Sequence, residues 1–226
     1  MISDSVISYP LAVDGVFTRI LQSDGGGTPV VCVHGLGARA DRWRATLPVL
    51  AAAGYNAIAL DLPGHGFASK GGQAPATVPD LARFVLAVTE SLDLPAGHWL
   101  GTSLGGHISA WIACRAAVPM RSLTLVGTVG ILPIGRDAGL AIQASVQKTS
   151  REAIRSKLEL VLHQTGLIHD PLIEEEYRIN NSPGAADSFR RLGAYMVEQL
   201  DLDCMGTELA GRASSLPMLL AWGEQD

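Results

Sequence analysis

Charge is sparse in this sequence, and no sign of it is concentrated. Charged residues make up 17% of the 226, and seventeen basic against twenty-two acidic side chains leave a net charge of −5. That balance argues against a nucleic-acid or anionic-membrane surface. The nearest approaches to basic clusters are Arg39/Arg42/Arg44 and Arg190/Arg191, best read as solvated helix faces. Cysteine is scarce too. Cys32, Cys114 and Cys204 are three, far apart, without metal-ligand or C-x-x-C spacing. Cys32 lies in an apolar run and reads as a small buried hydrophobe. No apolar run is long enough to span a bilayer. The opening "MISDSVISYP" lacks the basic-then-apolar pattern of a signal peptide. A cytoplasmic protein without a membrane partner is expected. There is no H-E-x-x-H and no dinucleotide glycine fingerprint, so neither metal nor organic cofactor is expected.

What is present is a core-forming composition, 47% hydrophobic, in short runs separated by turns. "FTRILQS" (17–23) alternates like an early strand, and "DGGG" follows as a turn. "PVVCVHG" (29–35), "YNAIALD" (55–61), "GHWLGTS" (97–103) and "SLTLVG" (122–127) are continuous enough to be strands buried on both faces. Between them, 42–54, 78–94 and 104–118 carry apolar residues at helical spacing. Leu81, Val85, Leu86 and Thr89 mark one face of the second helix, and Leu104, Ile108, Trp111 and Ile112 form a stripe on the third. Alternating strands and helices predict an α/β fold with a mostly parallel sheet, helices on both faces and right-handed crossovers.

The rhythm breaks after residue 127. Helical stretches at about 137–149, 150–164, 171–180 and 185–204 precede the next strand, "LPMLLAWG" (216–223). So long an excursion predicts an inserted helical subdomain over 128–215, with 1–127 and 216–226 forming the core. The insert has many apolar residues and few charges facing any obvious pocket.

The stretch "HWLGTSLGG" (98–106) carries the chemistry. It contains G-x-S-x-G, from Gly101 to Gly105, where a buried strand passes directly into a helix. That context is what a nucleophile elbow requires. A serine on so tight a turn takes a strained backbone that lifts its hydroxyl clear of the sheet, and the helix N-terminus behind it favours developing negative charge. The alternative is an ordinary serine N-cap flanked by glycines.

With "VCVHGLG" (31–37), "ALDLPGHG" (59–66), "LGTSLGG" (100–106) and "LLAWGEQD" (219–226) in this order, the chain resembles the α/β-hydrolase fold family. The likeness is to its cap-bearing branch of esterases, cofactor-free haloperoxidase-like enzymes and carbon–carbon bond hydrolases. The resemblance implies that Ser103 is the nucleophile and that the backbone N–H groups of Leu36 and Leu104 form the oxyanion hole. It implies that Asp226 is the catalytic acid, in a W-G-x-x-D turn with Trp222 and Gly223. His34 and His65 read as structural, and Asp61 as a brace for its turn. A histidine should follow the acid, yet His34, His65, His98, His107, His163 and His169 all precede it. The natural chain is therefore expected to continue through one more strand and helix. The last strand would otherwise be an uncovered apolar edge.

The implied reaction is attack of Ser103 on a carbonyl and hydrolysis of an acyl-enzyme. A small, partly apolar ester, thioester, lactone or diketone is the expected partner. Arg190 and Arg191 could grip a substrate carboxylate, although solvated arginines are commoner. An acyltransferase or haloperoxidase-like enzyme with the same machinery remains open. So does an inactive domain used for binding.

Overall fold

The computed structural model describes residues 6–116 and 118–224. Its centre is a seven-stranded sheet: β1 (Ile7–Val13), β2 (Val16–Asp24), β3 (Pro29–Val33), β4 (Asn56–Leu60), β5 (Gly97–Thr102), β6 (Met120–Val126) and β7 (Met218–Ala221). They stand in the order β1-β2-β4-β3-β5-β6-β7. β1 and β2 form an antiparallel hairpin, β2 runs antiparallel to β4, and all other neighbours are parallel. This is the expected α/β class with a mostly parallel sheet.

Alternation of side chains explains the layers. All five residues of β3 are buried. Val31 and Val33 point into a core shared with α2 (Val78–Ser91) and α3 (Leu104–Arg115). Val30 and Cys32 point the other way, towards Trp43 and Leu47 of α1 (Thr46–Ala52). Burial of Cys32 pushes its thiol up to about 12, so it packs as an inert hydrophobe. α3 departs from the expected one-sided stripe. Every residue from Leu104 to Ala110 is buried, because β5 delivers the helix into the middle of the molecule.

Three boundaries differ from the sequence expectation for identifiable reasons. The first strand, β1, was not anticipated. It contains Pro10, which suits only an edge strand. Its hairpin signal was Asp14-Gly15, where φ of 51° and 77° make a two-residue turn with both residues left-handed. α1 begins four residues later than 42, because Pro48 has no N–H and is tolerated only in a helix's first turn. Ala40–Trp43 instead form a single 3-10 turn.

β6 and β7 are parallel neighbours joined through five helices: α4 (Arg136–Val146), α5 (Arg151–Val161), α6 (Asp170–Asn180), α7 (Ala185–Glu198) and α8 (Gly206–Arg212). The third difference lies here. α7 stops at 198, and Leu200–Asp203 form a 3-10 turn. Asp201 there accepts from the N–H groups of Ile134 (2.8 Å) and Gly135 (3.0 Å), and Asp203 accepts from the Tyr195 hydroxyl at 2.6 Å. These bonds pull the chain off the helical path. α4 and α7 pack closely: a side chain on Gly139 would come within 2.6 Å of the Met196 carbonyl oxygen. Phe189, Leu192, Tyr195 and Met196 of α7 belong to the main core, whereas Ile154, Leu158 and Ile173 make a small separate core between α5 and α6.

One carboxylate ties the loops beyond the strand ends. Asp61 is fully buried and follows β4. It accepts from Ala40 N–H at 2.7 Å, Phe67 N–H at 2.9 Å and Arg19 Nε at 3.0 Å. Its own carbonyl accepts from the Thr18 hydroxyl at 2.6 Å. A side chain on Gly66 would strike the carboxylate. Asp61→Ala leaves the buried N–H of Ala40 and the N–H of Phe67 without their acceptor and removes one of the two carboxylates paired with Arg19; it is expected to lower unfolding free energy by about 2–4 kcal/mol, read from urea denaturation.

Candidate active site

Ser103 is the single residue between β5 and α3. Its backbone sits at φ 49° and ψ −120°, a left-handed conformation that a residue with a Cβ adopts only under constraint. The constraint comes from packing on every side. A Cβ on Gly101 would lie 2.4 Å from the Gly105 carbonyl oxygen, and one on Gly105 would lie 2.3 Å from that of Val33. One on Gly106 would overlap the Thr128 hydroxyl at 1.9 Å. Glycines are required at all three, and without them α3 could not sit so close to β3 and β5. The Ser103 N–H donates to Val126 of β6 at 3.1 Å, locking the turn to the sheet.

The loop after β3 lies against this turn. A Cβ on Gly35 would stand 3.0 Å from Ser103 Cβ and 3.6 Å from its Oγ. His34 holds the loop from beneath: its Nε2 accepts from Leu62 N–H at 2.9 Å, so Nδ1 carries the proton and donates to the Gly35 carbonyl at 2.8 Å. Both Leu36 and Leu104 line the cavity in front of Ser103. Leu104 opens α3, so its N–H has no partner within the helix. Among the described residues, the N–H of Leu36 has none either.

The cavity has a volume of about 250 Å³. Ser103, Leu36 and Leu104 line it together with the apolar Val146, Leu158 and Phe189. Arg42, Lys157 and Glu176 bring charge to the same space.

A model of the alpha/beta hydrolase fold matches residues 28–226. The chain belongs to the α/β-hydrolase fold family. Within that family it is 30% identical, over 99% of its length, to the dihydrolipoyllysine-residue acetyltransferase component of the acetoin cleaving system of Cupriavidus necator, and spans 59% of that protein. It is 26% identical, over 97% of its length, to the 2-hydroxymuconate semialdehyde hydrolase of Pseudomonas sp. strain CF600, covering 77% of it. Among solved structures, the 2-hydroxy-6-oxo-6-phenylhexa-2,4-dienoate hydrolase of Rhodococcus sp. strain RHA1 superposes with a TM-score of 0.81 at 19% identity, over 98% of this chain and 82% of that one.

Of the residues that this family's pattern singles out, Ser103, Leu36 and Leu104 meet at one cavity, and Asp226 lies outside the described residues. None of the six histidines lines the cavity. His107 is buried with Nε2 donating to the Asp203 carbonyl at 2.7 Å, and its ring packs on Gly130. His98 meets Ser122 Oγ at 2.7 Å near the opposite end of β5, and His169 caps α6 by accepting from Leu172 N–H. His65 stacks edge-on between His34 and Phe189.

The expectation of solvated arginines holds for Arg190 and fails for Arg39, with Arg191 half-buried. Arg190 pairs with Asp187 on the surface, and Arg191 donates to the carbonyls of Gly71 (3.2 Å) and Ala74 (2.6 Å). Neither reaches the cavity. The group read as solvated contains Arg39, which is only 5% exposed. Its Nε lies 2.8 Å from Asp41, Nη2 donates to Glu175 at 2.8 Å, and Nη1 stands 3.5 Å from Glu176. Arg39 thus joins the loop after β3 to α6. The five-helix segment places two charges, Lys157 and Glu176, at the cavity among mostly apolar residues. The sequence signal for Glu176 was "EEE" (174–176) on an amphipathic helix, where one glutamate of three must turn inward.

Burial depresses His65 to about 3, so it is neutral in the fold. Unfolding frees it to protonate near its ordinary value. Its contribution is therefore present above about pH 6.5 and is lost as pH falls towards 3. Urea midpoints at pH 7.5 and 5 should differ less in His65→Gln than in the unsubstituted protein, by a free energy on the order of 1–2 kcal/mol.

Proposed function

We propose that this protein is a serine-dependent enzyme that transfers the acyl group of a small, partly apolar carbonyl substrate through Ser103, with water as the default acceptor. The observation that carries the reading is the strained Ser103 backbone at the wall of a cavity that Leu36 and Leu104 also line, two residues whose backbone N–H groups have no hydrogen-bond partner among the described residues. A serine N-cap needs no such strain, and Ser103 makes no capping hydrogen bond. Strain of this kind has a use only if the hydroxyl must face a ligand.

In the reaction, Ser103 Oγ forms a bond to the carbonyl carbon while its proton passes to a histidine base. The family's order puts that base after the acid, for which Asp226 is the candidate. The carbonyl oxygen gains the displaced electron pair and is met by the N–H groups of Leu36 and Leu104. The positive end of α3 lies behind Leu104, so the field favours that anion. Collapse breaks the bond to the leaving group, which takes the proton from the histidinium and departs as an alcohol, a thiol or a protonated carbon. Water then adds to the acyl carbon as its proton passes to the base, and the second collapse breaks the bond to Ser103 Oγ, which regains that proton as the acid leaves. A mostly apolar cavity of about 250 Å³ suits esters, thioesters, lactones and diketones of modest size.

A second reading deserves a test of its own. The relative named an acetyltransferase component aligns with 99% of this chain. An acceptor thiol in place of water would make the same acyl-enzyme a transferase.

A fluorophosphonate probe is expected to label Ser103 and not to label Ser103→Ala, read by peptide mass. Hydrolysis of short-chain nitrophenyl esters should fall by at least about a thousandfold in Ser103→Ala. Absence of labelling at Ser103 sinks the enzymatic reading in favour of a binding domain. Adding a dithiol acceptor should leave product as free acid if the enzyme is a hydrolase. A dominant thioester product would assign the transferase.

A further inference from the structure

Glu176 stands apart from the other charges at the cavity. Its side chain is 15% exposed, on a carboxylate held short against α6. The nearest cation is Arg39 Nη1 at 3.5 Å, which is an ion contact and too long for a good hydrogen bond. Arg39 directs its aligned donor, Nη2, to Glu175 instead. Among the described residues no donor forms a hydrogen bond to the Glu176 carboxylate, although burial pushes its proton affinity up. A desolvated carboxylate with unfilled lone pairs is costly. Here the lone pairs open on the same space as Ser103.

The cavity's two other charges differ in kind. Arg42 is exposed, so water screens it, and Lys157, half-buried like Glu176, carries its ammonium on a long flexible stem and makes no hydrogen bond to that carboxylate among the described residues. Glu176 is the fixed polar feature in an otherwise apolar wall, and fixed polar groups set orientation and selectivity in such cavities.

We propose that Glu176 is a specificity-determining residue: the substrate carries a hydroxyl or similar neutral hydrogen-bond donor remote from its reacting carbonyl, and a carboxylate at that end is rejected. This rests on the reading of the Ser103 cavity as the reaction chamber. The donor satisfies the carboxylate that the protein leaves unmatched. A substrate carboxylate would instead bring a like charge into the same mostly apolar cavity. Selection of this kind is strong because a missing donor leaves the buried acceptor unpaired.

Binding to Ser103→Ala protein, measured by titration calorimetry, tests the idea without requiring turnover. Three ketones of equal carbon count serve as probes: methyl propyl ketone, its terminal alcohol acetopropyl alcohol, and the carboxylate levulinate. The alcohol should bind about tenfold more tightly than the plain ketone, and levulinate most weakly. Glu176→Gln, nearly isosteric, should bring the alcohol and the plain ketone to within about threefold. Glu176→Arg should make levulinate the tightest of the three. Should that variant fail to fold beside Arg39, the glutamine variant alone decides. Levulinate binding tightest to the Glu176 protein would overturn the proposal and give the subsite to Arg42 and Lys157. It is equally overturned by an alcohol preference that survives Glu176→Gln, or by no binding of any probe. If the preference holds but Ser103 resists the fluorophosphonate, the catalytic reading fails and the subsite stands.

Discussion

The conformation of one residue governs the centre of this molecule. Ser103 is held at a φ that costs on the order of 1 kcal/mol or more for a residue with a Cβ, and nothing local to the serine provides compensation. The compensation is collective. Gly101, Gly105 and Gly106 let β5, α3, β3 and the Thr128 segment approach to distances that no side chain permits. The burial of α3 on nearly every side follows from that approach, and so does the position of the loop carrying Leu36. Relaxing the serine would mean prising helix from sheet. The elbow is therefore a strained turn that the packing around it holds in place.

Buried charge organises the loops around that point. Asp61 binds a loop from each of three neighbouring stretches, and Arg19 carries the network on to Asp41, with which it forms a close ion pair. Asp41 meets Arg39, and Arg39 meets α6. A continuous line of alternating charges thus runs from the end of β4 to the helical segment over the cavity. Within the line Arg39 makes one hydrogen bond, to Glu175, and meets Asp41 and Glu176 as ion contacts, which is why such chains specify geometry more than they add stability. Hydrophobic packing of α7 fixes where the helical segment sits; this line fixes how its α6 end meets the core.

The sheet was legible because parallel strands buried on both faces leave continuous apolar runs, as in "PVVCV" and "NAIAL". The elbow was legible because glycine spacing and a strand-to-helix passage coincide at Ser103. What escaped prediction depended on contacts distant in sequence. Arg39 looked like part of a solvated basic group, since its partners Glu175 and Glu176 lie 136 and 137 positions away. Glu176 was hidden in an acidic run whose inward member only the packing of α6 selects. The end of α7 was misjudged because apolar periodicity continues to residue 204, whereas Asp201 is drawn off by the N–H groups of Ile134 and Gly135. The first strand was missed for a local reason: the Asp14-Gly15 turn was present, and Pro10 masked the strand beside it.

The buried position of Arg39 bears on how such proteins diversify. The five helices between β6 and β7 form one continuous stretch of chain that could be exchanged as a unit. In this chain the seam is not neutral. A donor segment that lacked acids at positions 175 and 176 would leave a guanidinium sealed inside the joint, and a new segment would be accepted only together with a change at residue 39. The residues lining the cavity and the residue at position 39 are thus coupled across the seam.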